Sequence, residues 1–449
     1  MKDDPDTQFR AALASGAQAW KEGRVEAAAQ AFAAATRMAP TDSAAHGNLG
    51  AVLRRLGKSA AAAACHRRAL ALGPDIPGHH SNLGNALRDL GHLAEAVAHF
   101  RRAVELAPDQ PSFTYNLALG LRDLSRHEEA RDLLAGLHAA SPDDAEIAWD
   151  LALSHLYLKD YRRGFAGYEA RHRLERAVAR ALPGERWDGR AALAGKILFL
   201  HAEQGFGDAL QFARFASIAA ARGARVVLEA QPELAPLFAG LPGVAQVVVK
   251  GTPPPPYDYW APLLSLANLL EVEWDALPPP PSPRSSRRLS GGLPRPAGTR
   301  LAVGLVWAGK LVPRDRSWPL ERLLPLFEDP TIAFFSLQLG PRTADLAELG
   351  ADTMIRDLAP SLTGFAETAA VMAELDLVIT IDSAPAHLAG MLGKPVWVLL
   401  RKVSDWRWRD EGDTTPWYPT MRLFRQADPF DFDGPVAAVK AALGEMARP

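Results

Sequence analysis

The first third of the chain repeats itself every 34 residues. Pro40, Pro74, Pro108 and Pro142 keep that step, as do Gly23, Gly57 and Gly91, and Ala28, Ala62, Ala96 and Ala130; Gly50 and Gly84 share it. A step of this length fits one pair of helices. A single pair cannot bury its own apolar face, so the pairs must stack into an α superhelix. Alanine at the crossing lets paired helices approach, glycine ends the first helix, and proline follows the second. The frames read 9–42, 43–76, 77–110 and 111–144. A fifth unit, 145–174, keeps helical spacing but lacks the closing proline, and is expected to cap the stack against the next domain.

This is the tetratricopeptide pattern. Within it Asn48, Asn82 and Asn116 recur at the same step on the first helix of each unit, directly before Leu49, Leu83 and Leu117. First helices line the concave face of such superhelices. A column of amides there offers donor and acceptor to the backbone of an extended peptide. The alternative is that each amide only bonds a neighbouring helix. The fifth unit carries Asp150 at the matching place, so the column is expected to stop there.

The remaining bounds are broad. A chain of 449 residues holds two or three domains. The formal net charge of −2 gives no bulk electrostatic reason to bind nucleic acid. Cys65 is the sole cysteine, which excludes an intramolecular disulfide and a cysteine-rich zinc site and fits a reducing compartment. The N-terminus lacks the basic and apolar regions of a signal peptide, and no apolar run is long enough to span a bilayer. The expectation is a soluble cytoplasmic protein with no transmembrane segment.

After an arginine-rich connector at 175–194, the pattern changes to alternating buried strands and helices. Residues 196–200 read as a strand, followed by a turn with Gly205 and Gly207 and a helical stretch at 209–222. Asp208 lands at that helix start. As structure it is a favoured N-cap; as chemistry it is a carboxylate at a strand's carboxyl end, able to take a proton from an acceptor hydroxyl. Strands follow at 225–229 and 246–249. The proline- and glycine-rich stretch 278–298, with Ser285, Ser286 and Gly291, reads as a linker between an N-terminal domain at 195–277 and a C-terminal one at 299–449.

In the second domain a strand at 301–307 opens a loop holding Lys310, Arg314, Asp315 and Arg316. A cation at Arg316 suits the phosphates of a leaving nucleotide; a solvated surface arginine is the plainer reading. Leu377–Ile381 is a continuous apolar run, read as a buried parallel strand, and Val396–Leu400 is the next. Between them Asp382, Ser383, Ala384, Pro385 and Ala386 turn the chain into a helix at 387–392. The free N–H groups at such a helix start suit a phosphate, and ligands of these sheets bind beyond the carboxyl ends of the strands. His387 at that start is read as a ligand contact or as a capping and packing residue. Trp406, Trp408, Trp417 and Tyr418, beside Arg407, Arg409 and Arg422, make either a stacking face or a packed lid.

Three ordered motifs carry a resemblance to the GT-B glycosyltransferases of family 9, the heptosyltransferases: Gly207-Asp208, Arg316-Ser317-Trp318-Pro319, and Asp382 through His387 and Leu388. The resemblance implies two facing Rossmann-like domains. It implies that Asp208 is the catalytic base, and that Gly207, Arg316, Asp382, Ser383 and His387 hold a nucleotide-sugar donor. Arginine stands at 316 where the family has lysine, and Ser317 where a basic residue is common. The repeats are foreign to heptosyltransferases. The joined layout resembles bacterial repeat-bearing protein glycosyltransferases, including those acting on flagellin, and more distantly O-GlcNAc transferase with its asparagine ladder. The expected activity is inverting, metal-independent transfer of a sugar to a Ser or Thr hydroxyl of a protein held by the repeats, with no cofactor beyond the nucleotide-sugar co-substrate. Two alternatives stand beside it: a repeat adaptor with a non-catalytic nucleotide-binding half, and a glycan- or lipopolysaccharide-directed transferase.

Overall fold

Helix pairs α1 to α10 follow the 34-residue step, to the residue at the end of every first helix and the start of every second one. The first helices of the pairs are α1 (Pro5–Lys21), α3 (Ser43–Arg55), α5 (Pro77–Asp89), α7 (Pro111–Asp123) and α9 (Ala145–Tyr157); the second are α2 (Val25–Met38), α4 (Ser59–Leu72), α6 (Leu93–Leu106), α8 (His127–Ala140) and α10 (Tyr161–Tyr168). The computed structural model describes residues 4–73, 75–178, 180–283, 292–310 and 315–448. Pro74, Ser285, Ser286, Gly291 and Arg314 of the sequence reading lie outside them. The chain divides into two compact units between Ser154 and His155.

In the first unit, Ala28, Ala62, Ala96 and Ala130 are all fully buried, as the crossing positions require. Gly16, Gly50 and Gly84 face Phe32, His66 and Phe100 across each pair. A Cβ on these glycines would stand 2.7, 2.7 and 2.6 Å from the ring opposite, so only glycine fits. A fully buried phenylalanine such as Phe100 contributes roughly 2–3 kcal/mol by leaving water. His66 takes the same place with both ring nitrogens unpartnered among the described residues. Burial first, then the charges of His79 and Arg54, push its pKa down to about 4. Gly23, Gly57 and Gly91 end the first helices in the left-handed region, at φ 73°, 74° and 79°; Ser125 and Lys159 adopt the same conformation one and two steps later, at 64° and 65°. Ion pairs also climb the array: Arg54 to Asp89 at 2.7 Å, Arg88 to Asp123 at 3.4 Å, and Arg122 to Asp150 at 2.5 Å.

The second unit begins earlier than the sequence boundary at 174. Residues 155–174, read as part of a closing repeat, belong to it instead. The reason is side-chain packing. Tyr161 of α10 is fully buried, edge-on to Trp274 and Trp406, and its hydroxyl accepts from Trp417 Nε1 at 3.0 Å.

Two parallel sheets form this unit. The first holds β1 (Glu185–Arg186), β2 (Ile197–His201), β3 (Arg225–Ala230), β4 (Val244–Val249) and β5 (Tyr259–Pro262), in the order β1-β5-β2-β3-β4. The presumed connector thus supplies an edge strand, β1, paired with β5. The second sheet holds β6 (Leu301–Leu305), β7 (Ile332–Ser336), β8 (Ile355–Asp357), β9 (Leu377–Ile381), β10 (Val396–Leu400) and β11 (Met421–Arg425), in the order β11-β10-β9-β6-β7-β8. Strands β6, β9 and β10 are buried at every position, which is why they read as unbroken apolar runs. Chain direction across each sheet reverses beside β2 and beside β6, and ligands of such sheets enter at those points. The helix α11 (Phe206–Phe212) follows β2, with α12 (Phe215–Ala221) after it; α13 (Phe365–Glu374) precedes β9 and α14 (Ala384–Met391) follows it. The helix expected at 209–222 is therefore two short ones, and α14 starts three residues before the expected 387.

Candidate active site

Both reversal points open on one cavity of about 410 Å³. Its walls include Gly207 and Asp208 from the first sheet's side, and Lys310, Arg316, Asp382, Ser383 and His387 from the second. The two sides touch: α11 lies against α14, and a Cβ on Gly207 would stand 2.9 Å from His387 Cδ2. Glycine at 207 is thus a requirement of close approach between lobes.

Asp208 is not a helix cap. Gly205 holds the N-cap position of α11 without a side-chain bond, and Asp208 sits in the first turn. Its Oδ1 accepts from Arg407 Nη2 at 2.6 Å. Asp382, just past β9, is nearly buried and accepts from Arg316 Nη1 at 2.8 Å. Burial pushes the Asp382 carboxyl up, and the Arg316 guanidinium pulls against that shift. Burial works against the Arg316 charge, but Asp382 outweighs it and raises the guanidinium further.

Ser383 is the N-cap of α14 in extended conformation, with Pro385 in the first turn, where its missing N–H costs nothing. Its hydroxyl donates to Ile381 O at 3.1 Å and lies 3.0 Å from Thr380 Oγ1. Ser383, Ala384 and Pro385 line the cavity, so the start of α14 opens on it with the helix dipole behind. His387 lies one turn into α14, not at its start. Its Nδ1 is 3.0 Å from the Tyr418 hydroxyl, and its ring leans on Trp408. Burial, reinforced by Arg407, Arg214 and Arg316, holds its pKa well below the usual histidine range, so the ring is neutral. The Arg214 guanidinium lies over the Tyr418 ring, 5.0 Å from its centroid, and donates to Gln211 O and Trp417 O. The other ring nitrogen of His387, Nε2, stands on the Gly207 side.

The aromatic segment is packing. Trp406, Trp408, Trp417 and Tyr418 are all buried, and Trp417 and Trp406 close on Tyr161, Phe165, Phe212 and Phe215. Two charged residues flank Trp406: the sequence reading gives Asp405 no part and Arg407 only a place beside the aromatic segment. Asp405 and Arg407 both line the cavity. The available signal was charge set inside a run of buried tryptophans, which burial tolerates only with partners.

The three asparagines lie in the first unit and part ways. Asn48 is exposed and Asn82 half-buried, and neither side chain makes a hydrogen bond among the described residues. Asn116 Nδ2 donates to Ser81 Oγ at 3.0 Å, a neighbouring-helix bond. At the next step Asp150 is buried, taking Tyr115 OH and Arg122. No group of three or more His, Cys, Asp or Glu suited to a metal occurs among the described residues, and no described helix is long and apolar enough to cross a membrane.

Residues 13–77 and 81–145 match the tetratricopeptide repeat family, and residues 338–428 match glycosyltransferase family 9 (heptosyltransferase). Protein FlbA of Caulobacter vibrioides (strain ATCC 19089 / CIP 103742 / CB 15) is 29% identical over 293 residues, covering 58% of this chain and 48% of FlbA. The chain thus spans about half the length of that relative. Among solved structures it is similar to Pseudomonas aeruginosa PilF, at 20% identity and TM-score 0.33 over 37% of this chain and 76% of PilF. It is also similar to MamA, at 16% identity and TM-score 0.33 over 38% of this chain and 98% of MamA. The family 9 segment and the repeats support a glycosyltransferase.

Proposed function

We propose that this chain, tetratricopeptide repeats followed by a family 9 glycosyltransferase segment, transfers a sugar from a nucleotide-sugar donor to a Ser or Thr hydroxyl of a protein. One observation carries the reading: a single cavity has Asp208 on one wall and the start of α14, with Arg316 and Lys310, on another. The donor diphosphate lies at the start of α14, where the helix start, His387 Nε2 and the two cations meet its charge. Arg316 then exchanges its partner Asp382 for phosphate oxygen. The acceptor hydroxyl gives its proton to Asp208 as its oxygen attacks the anomeric carbon. The new carbon–oxygen bond forms as the bond to phosphate breaks, and that electron pair leaves on the nucleoside diphosphate. A single displacement by one base inverts the anomeric centre. Lys310, Arg316 and the helix start supply the positive charge a metal would otherwise bring. The groove of the repeats holds the acceptor, with Asn48 and Asn82 as the amides left open to it, and flagellin is the first acceptor to try.

The test is turnover of UDP-, GDP-, ADP- and dTDP-linked sugars by the whole chain, with intact-mass measurement of candidate acceptors. A sugar-sized mass gain that depends on the enzyme supports the reading. Nucleotide binding with no turnover of any donor would favour a non-catalytic adaptor. Transfer to glycan but never to protein would favour a glycan-directed enzyme.

A further inference from the structure

Arg407 joins the second sheet's side of the cavity to the first. It lies between β10 and β11, and its side chain is only 9% exposed. Each edge of its guanidinium is used. Nη2 donates to Asp208 Oδ1 at 2.6 Å, Nη1 to Asp405 Oδ1 at 2.9 Å, and Nε to Gln211 Oε1. Asp208 and Gln211 are three residues apart on α11, so they share a face, and the fork grips both. The guanidinium carbon sits 4.6 Å from the Trp406 ring centroid, which fixes its plane. Burial of Arg407 opposes its charge, and Asp405 and Asp208 restore it.

The consequence falls on Asp208. Its carboxylate is a quarter exposed and would otherwise turn freely about its two side-chain bonds. With Oδ1 held by Arg407, the remaining oxygen, Oδ2, lies on the Gly205 side, beside another residue of the cavity wall. A base oxygen must stand within hydrogen-bond reach of the proton it takes, and small displacements are costly.

We infer that Arg407 is the positioning residue of the transfer reaction: it pins one oxygen of Asp208 so that the other faces the acceptor hydroxyl. The inference rests on the reading of Asp208 as the base. Because the guanidinium comes from the opposite lobe, the base is aligned only while the lobes are together. Lysine would keep the charge but lose the fork that grips Asp208, Asp405 and Gln211 at once.

The experiment uses the full chain and the nucleotide sugar that turns over in the panel above. Arg407→Ala should lower kcat by about 100-fold, with donor KM held within about threefold. Guanidinium ion, far below denaturing concentration, should restore at least about tenfold of that loss, and Arg407→Lys should stay slow. Unchanged kcat, or a raised KM at unchanged kcat, overturns the inference; the second result would make Arg407 a donor ligand. Failure of guanidinium to restore turnover to folded Arg407→Ala also overturns it. Gln211→Met keeps the side chain's length and leaves the Arg407 charge paired with Asp208 and Asp405. It should lower kcat several-fold, and full activity there counts against the inference even if the Arg407 variants do not fold. Asp208→Asn separates the two claims. If it retains turnover, the base reading falls; if it is dead while Arg407→Ala is fully active, only the role of Arg407 falls.

Discussion

The two units hold their charges together in opposite ways. In the repeats, Arg54 and Asp89 are 35 residues apart, and the pairing is made again one step on by Arg88 and Asp123. In the cleft, Arg316 reaches Asp382 across 66 residues, Arg407 reaches Asp208 across 199, and Arg214 reaches Trp417 across 203, each made once. A contact that recurs has a spare copy elsewhere in the chain; a contact made once has none. Residues in the repeats should therefore be exchangeable for their counterparts one step away, whereas residues of the cleft should have no substitute.

The largest effect should break the cleft. Asp208→Asn keeps the shape and removes the base, so transfer should fall by about 10²–10⁴-fold while nucleoside diphosphate binding by calorimetry persists. Normal turnover would remove Asp208 from the chemistry.

The next prediction sharpens the repeat half of the comparison. Phe32 and Phe100 stand one step on either side of His66. The unfolded His66 ring takes a proton near pH 6.5 and the folded one only near pH 4, so acid favours the unfolded repeats. The resulting loss of stability begins as pH drops below 6.5 and levels off below about 4, at up to about 1.4 kcal/mol per pH unit between. His66→Phe should stabilise the repeats at neutral pH by about 1–2 kcal/mol through the unpartnered nitrogens it removes. Denaturant titrations from pH 7 to 4.5 should also show the slope reduced by about one proton. An unaltered slope would free His66 of that role.

An effect of similar size, on acceptor use rather than stability, is expected at the open amides. Changing Asn48 and Asn82 together to Ala should weaken use of a protein acceptor by about 1–3 kcal/mol in kcat/KM and spare donor hydrolysis. Equal loss of both activities would make these amides structural. Smallest of all is Ser125→Gly, which copies Gly91 into the same left-handed turn. It should raise stability by about 1 kcal/mol, read as a shift in the unfolding midpoint. A fall would mean that the serine side chain holds the turn.

How much could be read beforehand follows the same division. The starts of α3, α5, α7 and α9 were fixed by spacing, because each repeat meets its neighbour in one geometry. Leu377–Ile381 and Val396–Leu400 were legible because strands buried on both faces leave no polar alternation. The start of α14 is hidden because Pro385 reads as a turn signal, although proline is at home in a helix's first turn. The sequence carries the repeats to 174, since α10 keeps their period while its Tyr161 packs on Trp274, Trp406 and Trp417. The place of Asp208 on the cavity wall was legible from its position after β2. Arg407 was not, since nothing local in Trp406-Arg407-Trp408 announces a partner 199 residues upstream.

Equal spacing in the helix array has a practical corollary. Excising residues 77–110 joins Ile76 to Pro111, so one proline opens a helix where another did, and α7 inherits the seat of α5. The groove then shortens by one full module without a shift of phase. Duplicating the same segment lengthens it by one. Under the proposed reading, the span of acceptor chain along the array is thus an adjustable length, set by counting modules rather than by redesigning any of them.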